Sequence, residues 1–332
     1  MKLRAIAIAS LAMPAALLGL AGCGSGGDAA VDTPPDVQAR VVAATATASG
    51  NALCTRIAPF YWEIGDASAA RASGQVGGTA YGPNTRIGIA SASKWFYSTY
   101  WVQRRNGALS DSDIRFFNFQ SGYTYFSEPP GCTGEPSVDA CLAQTDSGGH
   151  RFDAQDPATV GRFDYGGGHM QVHASQNGLG ALDNAGLAAE IQRQLGSDIA
   201  FVYTQPQLAG GIATSAADYA RLLRKILGGQ LAMRSALGTH PVCVDPATCP
   251  TAVFTPSPRG EQWHYSIGHW VEDDPTVGDG AFSSPGAFGF YPWIDAGKTW
   301  YGVLATLNVG GAIDSVKCGR LIRKAWLTGT TQ

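Results

Sequence analysis

Residues 85–107 read Thr-Arg-Ile-Gly-Ile-Ala-Ser-Ala-Ser-Lys-Trp-Phe-Tyr-Ser-Thr-Tyr-Trp-Val-Gln-Arg-Arg-Asn-Gly. From Ser91 onward the apolar side chains recur at helical spacing, Arg104 and Arg105 occupy the last turn, and Asn106-Gly107 supplies the stop. The pattern predicts a helix with a buried face rich in aromatics. On that helix Ser91 and Lys94, three positions apart, share a face, so the amine can accept or relay the proton of the hydroxyl. Trp95 and Phe96 shield the lysine from water, which suits a base. A Ser-x-x-Lys pair is by itself a weak signal, since a surface lysine after a helix N-cap reads the same way. The surrounding chain has to decide.

Around this segment the sequence predicts two strands over 57–66 and 69–78, rich in aromatic and β-branched residues and separated by a tight turn. Residues 109–164 are mostly turn and loop formers, suited to a cleft wall. Two amphipathic helices follow, over 184–195 and 215–227. The second opens with Ser215-Ala216-Ala217-Asp218, ends at Gly228-Gly229, and carries Tyr219, Leu222, Leu223, Ile226 and Leu227 as its apolar stripe. Strands are predicted over 263–271, 287–295 and 299–309, and a closing helix over 313–327. Strands at both ends with helices between them imply an α+β domain whose antiparallel sheet is assembled from the two termini, flanked by helices and joined to a mostly helical lobe.

The chain has 332 residues and a formal net charge of −3, with no basic cluster, so nucleic acid is not an expected partner. Lys2 and Arg4 lead into an apolar run that ends Leu20-Ala21-Gly22-Cys23, the pattern of a secretory signal. The small-residue stretch ending in cysteine resembles a bacterial lipobox, in which Cys23 becomes the acylated N-terminus; an ordinary signal peptide with a cysteine near its cleavage point is the alternative. The expected organisation is therefore a signal over 1–23, a flexible tether over 24–50 rich in Gly, Ala, Ser, Thr and Pro, and one catalytic domain over 51–332. The protein is expected to be exported to the periplasmic side of a bacterial membrane and attached there by lipid on Cys23.

Setting Cys23 aside, six of the seven cysteines remain, an even number that suits a disulfide framework in an exported protein. Of the fifteen pairings possible for six cysteines, one is favoured. Cys132–Cys141 and Cys243–Cys249 would each close a short loop, and Cys54–Cys318 would tie the start of the domain to its end.

The segment from Thr85 to Lys94 resembles the nucleophile segment of serine β-lactamases, penicillin-binding proteins and related esterases. Two further stretches match in family order. Phe116-Phe117-Asn118-Phe119-Gln120-Ser121-Gly122-Tyr123 resembles a stretch that ends in a Thr-Ser-Gly-Leu-like turn, and Leu208-Ala209-Gly210-Gly211-Ile212-Ala213-Thr214-Ser215 is similar to an Ala-Gly-Gly segment entering a helix. The resemblance spans most of the chain after the tether and implies the β-lactamase/transpeptidase-like fold.

That resemblance also implies site residues. The family's Tyr-x-Asn motif finds its counterpart in Tyr165-Gly166-Gly167, so Tyr165 is the expected proton carrier and Gly167 stands where an asparagine would contact substrate. The Lys-Thr-Gly or His-Thr-Gly motif finds its counterpart in Ser284-Pro285-Gly286-Ala287, without the cation. The resemblance assigns an oxyanion hole to the backbone N–H groups of Ser91 and Ala287, with Ser284 and Gly286 facing substrate. His169 is expected to line the cleft. No metal or other cofactor is expected: His169 and His173 lack an acidic or cysteine partner nearby in the sequence, and His264 and His269 would point to opposite faces of one strand. Trp95, Trp101, Tyr123, Tyr125 and Trp293 read as core or cleft wall. The expected activity is hydrolysis of a small ester, amide or peptide through an acyl-enzyme on Ser91. A penicillin-binding D-Ala-D-Ala carboxypeptidase or β-lactamase is the alternative within the class, and a binding protein that kept the fold without turnover is the alternative outside it.

Overall fold

The computed structural model describes residues 36–332. The proposed signal, Cys23 and the first part of the expected tether lie outside the described residues. The rest of that tether is not a tether. Val37–Gly50 is a helix, capped by the Asp36 side chain, which accepts from the Ala39 N–H at 2.7 Å. Alanine is the strongest helix former, and here its small side chains let the helix pack closely on the closing helix, burying Ala43, Ala44, Thr47 and Ala48. Composition marked this stretch as linker because it lacks large apolar groups; what it lacks in side-chain size it recovers in close backbone approach.

The central sheet has eight antiparallel strands. Across it run Ala70–Val76, Phe60–Gly65, Tyr301–Ala305, Tyr291–Ile294, Ala281–Ser283, His269–Glu272, His264–Ser266 and Val242–Cys243. The amino-terminal hairpin therefore pairs directly with the carboxy-terminal strand, Tyr61 opposite Ala305 and Gly65 opposite Tyr301. The closing helix Ala312–Thr328 and the first helix pack against this junction, and the helix Ala216–Leu227 packs on the same strands. Disulfides join Cys54 to Cys318, Cys132 to Cys141 and Cys243 to Cys249.

The expected strand over 263–271 is instead a hairpin, with His269 paired to Ser266. Ile267 and Gly268 at its tip have φ values of 38° and 76°, the left-handed pair a two-residue turn requires. Gly268 abuts Ser98, where any side chain would sit 2.6 Å from that residue's Cβ, so the helix carrying Ser98 shapes the turn. His264 and His269 consequently belong to different strands. His269 is buried and stacked on Trp95, and His264 pairs with Asp273. The strand Ala281–Ser283 was not anticipated, and those expected over 287–295 and 299–309 are shorter at both ends. Within 109–164 the short helices Asp111–Phe117 and Val138–Leu142 interrupt the loops.

Candidate active site

The chain enters the site through Ile87–Gly88, which pairs with Ala213–Thr214. Ala90 then takes φ 44°, a left-handed conformation costly for a residue with a Cβ, and a short 3-10 turn over Ala90–Ala92 leads into the helix Ser93–Arg104. Neighbouring elements hold the turn: Ile89 N–H donates to Ile212 O at 3.0 Å, Ile212 N–H to Ser93 Oγ at 3.1 Å, and Tyr219 OH to Ala92 O at 2.9 Å. Ser91 is thereby fixed, half-buried, at the helix start.

Lys94 is 3 % exposed. Its Nζ donates to Ser91 Oγ at 2.9 Å and to Ala209 O at 3.1 Å, and it stands 4.8 Å from the centre of the Tyr165 ring. The carbonyl comes from the Leu-Ala-Gly-Gly segment, so this stretch, far away in sequence, orients the amine. Ser91, Tyr165 and Ala287 line one pocket of about 140 Å³. Tyr165 lies on Trp270, ring centres 5.2 Å apart.

The loop between Ala281–Ser283 and Tyr291–Ile294 passes directly over the turn that carries Ser91. A Cβ on Gly286 would lie 2.1 Å from Ile89 O, so only glycine allows this approach. Ala287 turns its carbonyl to the Gly310 N–H at 2.9 Å. The N–H groups of Ala287 and Ser91 have no hydrogen-bond partner among the described residues. Two such amides beside a hydroxyl are suited to an oxyanion.

Four expected substrate contacts are placed otherwise, Gly286 among them, since it is buried against Ile89 and allows the loop, not a substrate, to approach. Ser284 is buried and donates to Ser91 O at 3.2 Å, so it supports the turn carrying Ser91 instead of facing the pocket. Gly167 is buried, and a Cβ there would meet the side chains of Glu128 and Phe126 at 3.0 Å, so an asparagine would require both to shift. Gln207 donates to that same Glu128 oxygen. His169 does not line the cleft: it is wholly buried, stacked on Phe119, with Nδ1 bonded to Ser121 Oγ at 2.7 Å and Nε2 to Asp164 O at 2.9 Å. Burial pushes its imidazole down to about 4, with the Lys94 charge acting in the same direction against the Asp164 bond. His173 is likewise occupied, by Tyr97 OH at 2.7 Å and Asp113 Oδ1 at 3.0 Å. Neither imidazole is left with a free nitrogen for a metal.

The tryptophans Trp95, Trp101 and Trp293 are core, and neither they nor Tyr123 and Tyr125 line the pocket. Trp263 and Trp270 do. Sequence reasoning passed over both, because the strand on which they were placed carried no motif.

No family model matches the chain, and no curated protein matches it. Solved structures do. A D-stereospecific amidohydrolase from a Streptomyces species superposes with a TM-score of 0.55 at 16% identity, covering 90% of this chain and 100% of its own. EstCE1, a hydrolase with promiscuous acyltransferase activity, gives 0.59 at 12%, covering 88% and 99%. A penicillin-binding protein from Bacillus halodurans gives 0.55 at 15%, covering 77% and 93%. At such identities the likeness is one of architecture, and it agrees with the sheet built from both termini: the chain has the β-lactamase/transpeptidase-like fold.

Proposed function

We propose that the protein is a serine hydrolase that cleaves an ester or amide through an acyl-enzyme on Ser91. The observation that carries this reading is the 2.9 Å contact between Lys94 Nζ and Ser91 Oγ, placed at a pocket that Tyr165 and Ala287 also line. Ser91 Oγ attacks the carbonyl carbon while its proton passes to the Lys94–Tyr165 pair. The oxyanion lies against the N–H groups of Ser91 and Ala287. On collapse the C–O or C–N bond breaks, and the same pair returns the proton to the departing atom. Water then repeats the sequence against the acyl ester, releasing the acid and restoring Ser91.

None of the pocket's lining residues is charged, so nothing in the lining matches a substrate carboxylate. This favours neutral esters and amides over a cell-wall peptide or a β-lactam. The test is turnover of p-nitrophenyl acetate with intact-mass detection of acetylated protein. Ser91→Ala should abolish turnover and the adduct, and Lys94→Ala should cost nearly as much, with the double variant no worse, because groups acting as a unit are not additive. Substantial activity in Ser91→Ala rules the assignment out.

We also propose export and acylation at Cys23, supported by the lipobox-like end of the apolar run and the three disulfides. Palmitate labelling in a bacterial host should be lost in Cys23→Ser; equal labelling of both proteins refutes it.

A further inference from the structure

Resting on the acyl-enzyme reading, we propose that the pocket beyond Tyr165 receives the leaving group, and that this group is an uncharged alkyl or aryl alcohol. The direction follows from the proton carrier. Ser91 and the two unpartnered amides define where the reacting carbonyl sits, and the departing atom must then come within hydrogen-bond reach of the group that protonates it. Tyr165 is that group's exposed member, since Lys94 is buried behind it. The space on Tyr165's side is therefore the leaving-group side, and the acyl portion points away from it.

The chemistry follows from the walls. Trp270 lies on the Tyr165 ring and Trp263 meets Trp270 edge-on at 5.6 Å; Pro256, Pro258 and Ile313 close the remaining sides. Two of the polar atoms on these walls are already engaged. Trp263 Nε1 donates to Glu261 at 2.9 Å, and Ser257 Oγ accepts from Thr255 at 2.9 Å. The cation behind the wall, Arg320, lies over the Trp263 ring at 5.7 Å and is held by Glu261 at 2.8 Å. A carboxylate would give up its hydration here with no cation in the lining to replace it. The whole pocket, the Ser91 and Ala287 side included, has a volume of about 140 Å³, roughly ten times what one water requires, so it can hold the reacting carbonyl with a small alkyl or aryl group beside it. The loops that carry these walls continue the apolar character outward: Phe254, two residues before Pro256, is 52 % exposed, and Val309, close before the Ala312–Thr328 helix, is 80 % exposed.

Two ester series separate the two sides of the site. In alkyl acetates from methyl to hexyl the chain grows on the alcohol; in methyl alkanoates from acetate to heptanoate it grows on the acyl group. Hydrolysis is followed by pH-stat with the full chain. In the first series kcat/KM should rise about fourfold per methylene, the increment for burying one CH2 group, until the pocket is full; the second should stay flat. Ile313→Asp, at a half-exposed position on the closing helix, should flatten the first series while leaving the Tm within a few degrees of the parent. A rise confined to the alkanoates, or no rise in either series while Ser91→Ala abolishes methyl acetate hydrolysis, overturns the pocket assignment and leaves the acyl-enzyme standing. Turnover that survives Ser91→Ala, or no turnover of any ester, overturns both.

Discussion

Gly286→Ala isolates the proposed oxyanion site without removing a functional group. The added Cβ would stand 2.1 Å from Ile89 O and 3.1 Å from its carbonyl carbon, whereas real Cβ contacts essentially never fall below 3.0 Å. The atoms it meets are backbone and cannot swing aside, because the nucleophile turn is pinned by Ile212 and Tyr219. The loop carrying Ala287 must retreat by about 0.9 Å to reach that minimum separation. Misplacement on the order of 1 Å costs about 10²-fold in rate, and loss of one oxyanion donor costs about 10²–10³-fold, or ~2.7–4 kcal/mol. Overpacking of this kind destabilises by about 1–3 kcal/mol, so the variant should remain folded. The assay is p-nitrophenyl acetate hydrolysis beside a thermal melt. We expect kcat to fall about 100-fold with KM little changed and Tm lower by several degrees. A folded variant whose kcat stays close to the parent's would show that Ala287 does not hold the developing charge.

Two further predictions concern stability. His169, pushed down to about 4 by burial from its ordinary value of 6.5, stays neutral in the folded chain at pH values where the unfolded chain takes up a proton. Acid therefore destabilises the fold progressively from pH 6.5 down to 4, by about 3 kcal/mol for this group. Asp164, raised to about 6 by burial and then by Asp156, acts in the opposite sense, so the comparison is with His169→Gln. The parent's advantage in urea midpoint should shrink between pH 7 and pH 4, and a constant gap would contradict the assignment. The Cys54–Cys318 bridge spans 264 residues and ties the start of the domain to the closing helix. Replacing both cysteines with serine should cost about 2–5 kcal/mol, read as a lower Tm, and an unchanged melt would show that the bridge contributes nothing.

Local chemistry made part of this fold legible and hid the rest. The helix Asn184–Leu195 is capped by Asp183 and the helix Ala216–Leu227 by Ser215, and both boundaries were readable because cap, stripe and stop lie within a few residues of each other. The antiparallel sheet from both ends was readable because strands cluster at the termini. Val37–Gly50 was not, since an alanine-rich helix without large apolar groups declares itself only through the partner it packs on. The turn at Ile267-Gly268 was missed for a related reason: the isoleucine takes a positive φ under the constraint of the nucleophile helix, which no local pattern records. In the site, the Ser91–Lys94 pairing was legible from the three-residue spacing together with the resemblance of the surrounding segments, although Ser91 sits in a 3-10 turn just before the helix. The burial of His169 and Ser284 does not, because a polar side chain near a motif reads the same whether it faces substrate or supports the motif from behind.

The departures at Gly167 and Ser284 follow from packing, and they act together. At Gly167 a side chain would press on Phe126 and on Glu128, which Gln207 engages. At Ser284 the hydroxyl is buried and bonded to the nucleophile's own carbonyl, so a lysine there would have to break that support and desolvate its charge. A lysine at Ser284 therefore disturbs the turn that holds Ser91 before it adds a substrate contact, and a side chain at Gly167 must first displace Phe126 and Glu128. The cation that remains at this site, Lys94, is committed to Ser91, Ala209 and the Tyr165 ring. A substrate carboxylate would compete with Ser91 for that amine, while an uncharged group on the Tyr165 side leaves the Ser91–Lys94 pair intact for proton transfer. The uncharged lining and the commitment of Lys94 thus both favour an uncharged substrate.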